Sequence, residues 1–211
     1  HFYPGSTARG ACYVNNDDAL GVWAMENIHT IGELGDLYGI PNSPGRFDVM
    51  DLASATHPSS FSKIYLGWLL DQEVVKRTPL AARHDIQLLS LGAVHHNSGP
   101  RTVRIDALSG TKYFLIEARL RNDDYDKANA LSVGVPSTGI PAEGAVVYEV
   151  SHQGWPPVSL RASGLLKPGQ KFLEATEHLS VEVLGNSASS LKLRIEPQNP
   201  TINLVGLTSD G

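Results

Sequence analysis

The chain has 211 residues, 41% of them hydrophobic and 18% charged, with 17 Lys and Arg against 22 Asp and Glu for a net charge of −5. That length can bury a core in one large domain or two small ones, and the acidic balance lacks the basic stripe that neutralises nucleic-acid phosphates. No apolar run approaches the roughly 18–20 residues of a membrane span, and the single cysteine, Cys12, leaves no partner for an intrachain disulfide or a zinc–thiolate cluster.

Residues 1–16 read as an irregular start with one short strand, Ala11 to Val14. Asn15-Asn16-Asp17-Asp18 is an N-cap cluster, and Leu20, Ala24, Ile28 and Ile31 follow at helical spacing. This predicts a helix over about 18–33, with Gly32 and Gly35 as stop signals. Residues 36–58 read as a loop. Ser59-Ser60 can cap a second helix, Phe61 to Leu70, whose Phe61, Ile64, Tyr65 and Trp68 form one apolar, core-facing stripe.

From about Thr78 the hydrophobic period becomes two. Strands are predicted at Ile86–Leu91, Thr102–Ile105, Tyr113–Arg119, Ala145–Val150, Leu179–Leu184 and Leu191–Ile195. Clusters of Gly, Asn, Ser and Pro separate them, in keeping with 20 Gly and 13 Pro in the chain. The last two strands, broken at Gly185–Ser190, read as a hairpin. The expected organisation is α+β: a helical-plus-loop lobe over residues 1–78, then an antiparallel, sandwich-like β lobe over 79–211.

The first helix carries Met25-Glu26-Asn27-Ile28-His29-Thr30-Ile31-Gly32. In a His-Glu-x-x-His-x-x-Gly helix, two imidazoles one turn apart bind zinc, and the Glu between them acts as general base. Glu26, His29 and Gly32 occupy matching places, and Met25 stands where the first His would be. Asp36-Leu37-Tyr38-Gly39 follows, then Gly45-Arg46-Phe47-Asp48-Val49-Met50-Asp51, then Lys63-Ile64-Tyr65-Leu66-Gly67-Trp68. The β-rich part adds Tyr113–Arg119, Gly144–Val150 and Leu166-Lys167-Pro168-Gly169-Gln170.

In this order the motifs resemble the immune inhibitor A and gametolysin-like secreted zinc metallopeptidases, over about residues 11–196. The resemblance implies a metzincin-like helix and a Met-turn at Met50 under a metal site, followed by the β lobe. It also implies a secreted protein, although the chain shows no signal-peptide architecture. Three departures bear on activity. Met25 replaces an imidazole with a thioether, which suits softer ions than zinc. The place of the third ligand, three residues after Gly32, is Gly35, with Asp36 one residue further on. Only 24 residues precede Met25, where the family has a sizeable N-terminal lobe.

Two readings follow. In the first, proteolysis has been lost and the chain binds a protein, peptide or carbohydrate ligand, with Trp155 in Gly154-Trp155-Pro156-Pro157 as the loop aromatic suited to contact it. In the second, the chain is a metal-dependent peptidase with Glu26 as base and zinc held by His29 and Asp36. Among other polar clusters, Asn122–Asp126 offers calcium-type oxygens at Asp123, Asp124 and Asp126, or forms a solvated acidic turn. His95-His96 reads as a surface turn, because neighbouring side chains on a strand point to opposite faces.

Overall fold

The computed structural model describes residues 14, 19–77, 82–92, 99–127, 139–161 and 165–198. The expected strand at Ala11 to Val14, the Asn15–Asp18 cap cluster, Cys12 and His95-His96 lie wholly or largely outside them. Among the described residues no helix is long and apolar enough to cross a membrane.

The first helix, α1, spans Leu20–Gly32 and buries Gly21, Met25 and Ile28; of the expected stripe Leu20, Ala24, Ile28 and Ile31 only Ile28 is buried, and Leu20 and Ile31 face outward, because the face turned to the sheet lies one residue round the helix. It ends where Glu33 turns left-handed at φ 53°. The segment expected as a loop contains a 3-10 turn, Gly45–Phe47, and a short helix α2, Val49–Leu52. Asp48 ties α2 to the start of the helix that follows it in the chain. Its Oδ1 accepts from Met50 N at the start of α2, and its Oδ2 accepts from Ser59 N and Ser62 Oγ.

The third helix, α3, is Ser60–Tyr65, with Ser59 as its cap. It is shorter than the expected Phe61–Leu70, because Gly67 takes φ 71° and the helix unwinds there. The apolar stripe is cut with it. Phe61 is buried, but Tyr65 and Trp68 are half-exposed, which corrects the expectation that all three are core.

The rest is strand: β1 Val74–Arg77, β2 His84–Leu89, β3 Thr102–Asp106, β4 Lys112–Arg119, β5 Gly144–Ser151, β6 Val158–Leu160, β7 Lys171–Glu174, β8 Leu179–Asn186 and β9 Ser190–Pro197. One sheet runs β1-β3-β4-β5-β6 and the other β2-β9-β8-β7. Pairing is antiparallel except for β1 beside β3. The β8–β9 hairpin forms as expected, with a register shift between Val183 and Gly185.

Alternation along β4 and β5 explains the layering. Phe114, Ile116, Ala118, Ala145 and Val147 face the second sheet and pack with Val181, Val183, Leu191, Leu193 and Ile195. Leu115, Val146, Tyr148 and Val150 face the other way and pack with Met25, Ile28, Leu37, Phe47, Met50 and Phe61. The molecule is therefore α+β in three layers: sheet, sheet, helices. The helical segment and the first sheet share one core across the expected boundary at residue 78.

Candidate functional site

The αL turn at Glu33 sends the chain back under α1. Leu34 and Leu37 are fully buried there, and Leu37 N donates to Met50 O at 3.0 Å. This anchoring carries Asp36 to His29. His29 Nδ1 lies 2.6 Å from Leu34 O, and since a carbonyl only accepts, Nδ1 carries the proton. That leaves Nε2 facing Asp36 Oδ1 at 3.1 Å. Both atoms are buried, and neither makes a hydrogen bond.

Trp155 covers this corner. Its Nε1 donates to Asp36 O at 2.9 Å, and its indole lies on Gly35, where a β-carbon would sit 2.9 Å from Nε1. The ring meets Tyr65 edge-on at 6.5 Å, and about half of Trp155 is exposed.

Met25 lies one turn before His29 and packs in the helix–sheet core with Ile28. Met50 is fully buried in the same core. Glu26 is half-buried on α1, and its backbone carbonyl accepts from Thr30 Oγ1.

The donor set can be tested against the zinc that the resemblance implies. A catalytic zinc takes three protein ligands and keeps one position for water. Here two donor atoms converge, His29 Nε2 and Asp36 Oδ1, and the side chain one turn earlier is a thioether packed in the core. Among the described residues no group of three or more His, Cys, Asp and Glu converges. The residues present do not fit a catalytic zinc.

The carboxylates of the acidic turn take separate protein partners. Asp126 is fully buried, and its two oxygens receive Arg119 Nε at 2.8 Å and Nη2 at 2.7 Å. Asp124 pairs with Lys127 at 2.6 Å. Asp123 Oδ1 caps the turn, accepting from Tyr125 N and Asp126 N. The three carboxylates serve different partners, and a guanidinium occupies the one that is fully buried.

That guanidinium belongs to a network that joins its near neighbours Glu117 and Asp126 to residues distant in the chain, and the sequence carries no signal of the whole. Arg119 also donates to Glu117, Phe47 O and His57 O. Glu117 accepts from Ser60 N and Tyr148 Oη. Burial pushes the Glu117 and Asp48 carboxyls up from the ordinary range. For Arg119 burial acts against the charge, but Asp126 and Glu117 outweigh it and raise its pKa. These residues pin the helices to the first sheet.

A second imidazole–carboxylate pair was not legible in the sequence, where His57 is a lone histidine before a proline. His57 Nε2 lies 3.4 Å from Asp123 Oδ1. Burial works against the Asp123 charge, but His57 and the backbone donors of the turn hold its carboxyl below the usual range. His57 lines an open cleft of about 590 Å³ between α1, α3 and the loop after α2. Ile28, Ile31, Leu66, Tyr65, Trp68 and Tyr125 make its walls mainly apolar and aromatic.

No protein-family model, curated protein or solved structure matches the chain.

Proposed function

We propose that this is a metallopeptidase-like protein, of the immune inhibitor A and gametolysin-like kind, that has lost proteolysis and acts as a secreted binding protein. One observation carries the reading: Met25 is packed into the helix–sheet core, so α1 offers a single imidazole where a catalytic zinc needs two and a third ligand besides. Met50 beneath α1 and the β sandwich behind it are consistent with a retained scaffold. Trp155, half-exposed over Asp36, supplies a rigid aromatic surface for a protein, peptide or carbohydrate ligand.

The test is zinc content by mass spectrometry on protein never exposed to a chelator, together with casein turnover for the wild type and Glu26→Gln. The reading expects well under one zinc per chain and no turnover that a chelator or the substitution removes. One zinc per chain, lost in His29→Ala, with casein cleavage abolished in Glu26→Gln, overturns it.

One observation favours the second reading, an active metal-dependent peptidase. His29 Nε2 and Asp36 Oδ1 stand 3.1 Å apart, and Leu34 O fixes the imidazole through its other nitrogen, as in an oriented metal-ligand pair. Glu26 is then the base, and the same experiment separates the two.

A further inference from the structure

Lys63 differs from the other six lysines of the chain in what holds its amine. Lys76, Lys112, Lys127 and Lys171 each reach a carboxylate, and Lys167 and Lys192 stand exposed. Lys63 is half-buried, and its Nζ donates to a neutral acceptor, Leu91 O, at 3.0 Å. It does not line the cleft beside His57, and the binding-protein reading makes no use of it.

The fold sets this amine in place. Ser60 N donates to Glu117 Oε2, which seats the start of α3 on β4. Leu91 is buried, and its own N donates to Ala118 O at 2.9 Å, so the carbonyl that receives Lys63 is anchored to the same strand. Two cations and two anions act on the amine: Arg119 and Arg101 against its charge, Glu117 and Asp126 for it. Both carboxylates are already bonded to Arg119. Burial, and next to it the Arg119 charge, brings the Lys63 pKa down to about 8.

Two chemical consequences follow. At pH 7.5 such an amine is unprotonated for about a quarter of the time, against about a thousandth for an ordinary lysine. Only the unprotonated amine has a lone pair to offer an electrophile. An acylated Nζ, in turn, keeps one N–H for Leu91 O and carries no charge beside Arg119 and Arg101. The place that penalises the ammonium therefore accepts the amide. Half-burial next to paired charges suits an acyl donor that is small and uncharged.

We propose that Lys63 is a site of Nζ acylation by small, uncharged acyl thioesters, selected by its seat between α3, Leu91 O and the Arg119 cluster. The neutral Nζ attacks the thioester carbonyl carbon. A C–N bond forms, the C–S bond breaks, and the departing thiolate takes up the proton that Nζ releases. The modification goes beyond the binding-protein reading and is read out independently of zinc content and casein turnover, so either can fail without the other.

The test incubates the full chain at pH 7.5 with S-acetyl-N-acetylcysteamine and follows acetylation at each lysine by peptide mass spectrometry. Lys63 should acetylate at least about tenfold faster than the exposed Lys76, Lys167 and Lys192. In about 8 M urea, where the seat is gone, that lead should vanish. The Lys63 rate should level off above about pH 8 in the folded chain, and in urea keep climbing about tenfold per unit to about pH 10. A Lys63 rate no faster than those three, a lead that survives urea, or a folded-chain rate still climbing past about pH 9 overturns the proposal.

Discussion

His29 and Asp36 face each other across 3.1 Å with both facing atoms buried, and among the described residues no third His, Cys, Asp or Glu converges on them. Two ligands make a poor metal site, since they leave most of the coordination to water. Chelator treatment is therefore expected to leave the thermal midpoint unchanged, and zinc at about 100 μM to raise it by less than about 1 °C. Differential scanning fluorimetry checks this. A rise of several degrees with zinc, absent in Asp36→Asn, would show a site that binds the folded state tightly, because stabilisation grows with the ratio of ligand concentration to Kd.

How much of this was legible in the sequence depended on how local the cause was. The helix α1, though not which of its faces is buried, and the strands β2–β5, β8 and β9 could be read because periodicity is a property of neighbours. β1, β6 and β7 could not: they are three or four residues long and partly exposed, so little alternation is visible. Tyr65 and Trp68 were misread because one left-handed glycine, Gly67, ends a helix whose apolar spacing continues past it. Asp36 could be named as a partner for His29, but its approach depends on Glu33 turning left-handed. Asp126 read as a calcium-type oxygen or as part of a solvated acidic turn, and its burial against Arg119 was not legible because that pairing exists only in the fold. His57 had no sequence signal at all.

The Arg119 cluster leads to a stability prediction. Arg119, Glu117 and Asp126 are all fully buried, so removing the cation strands two carboxylates away from water. Arg119→Met is expected to destabilise by about 3–5 kcal/mol, the range for breaking a buried pair from one side. The triple substitution Arg119→Met, Glu117→Gln, Asp126→Asn removes the charges together and should recover a large part of that loss. Urea denaturation midpoints decide it. Equal losses in the single and triple variants would mean that the damage comes from packing and not from stranded charge.

Gly35 leads to a local prediction. Its missing side chain is what lets the Trp155 indole lie against the backbone beside Asp36. Gly35→Ala should push the ring off, break the Nε1 bond to Asp36 O and leave Trp155 more open to solvent. Acrylamide quenching measures this, with Trp155→Phe to subtract Trp23 and Trp68. Stability should fall by only about 1 kcal/mol, the worth of one partly exposed hydrogen bond. Unchanged quenching would show that the indole does not rest on Gly35 in solution.

Lys63 gives the clearest pH dependence. Its Nζ donates to Leu91 O at 3.0 Å from a half-buried position, and burial followed by the nearby Arg119 charge lowers its pKa from 10.5 to about 8. Below pH 8 the amine is charged in both folded and unfolded chains, and the fold bears the full cost of burying that charge. Between about 8 and 10.5 the folded chain has released the proton while the unfolded chain still holds it. The unfolded state then binds more protons, so stability must rise with pH across that window. The shift caps the gain at about 3 kcal/mol. Lys63→Met removes the titration. The difference in unfolding free energy between wild type and variant, followed by urea denaturation from pH 7 to 10.5, should therefore be flat up to about 8 and then move steadily in favour of the wild type. A difference that stays constant throughout would mean that Lys63 keeps an ordinary amine's affinity for its proton inside the fold.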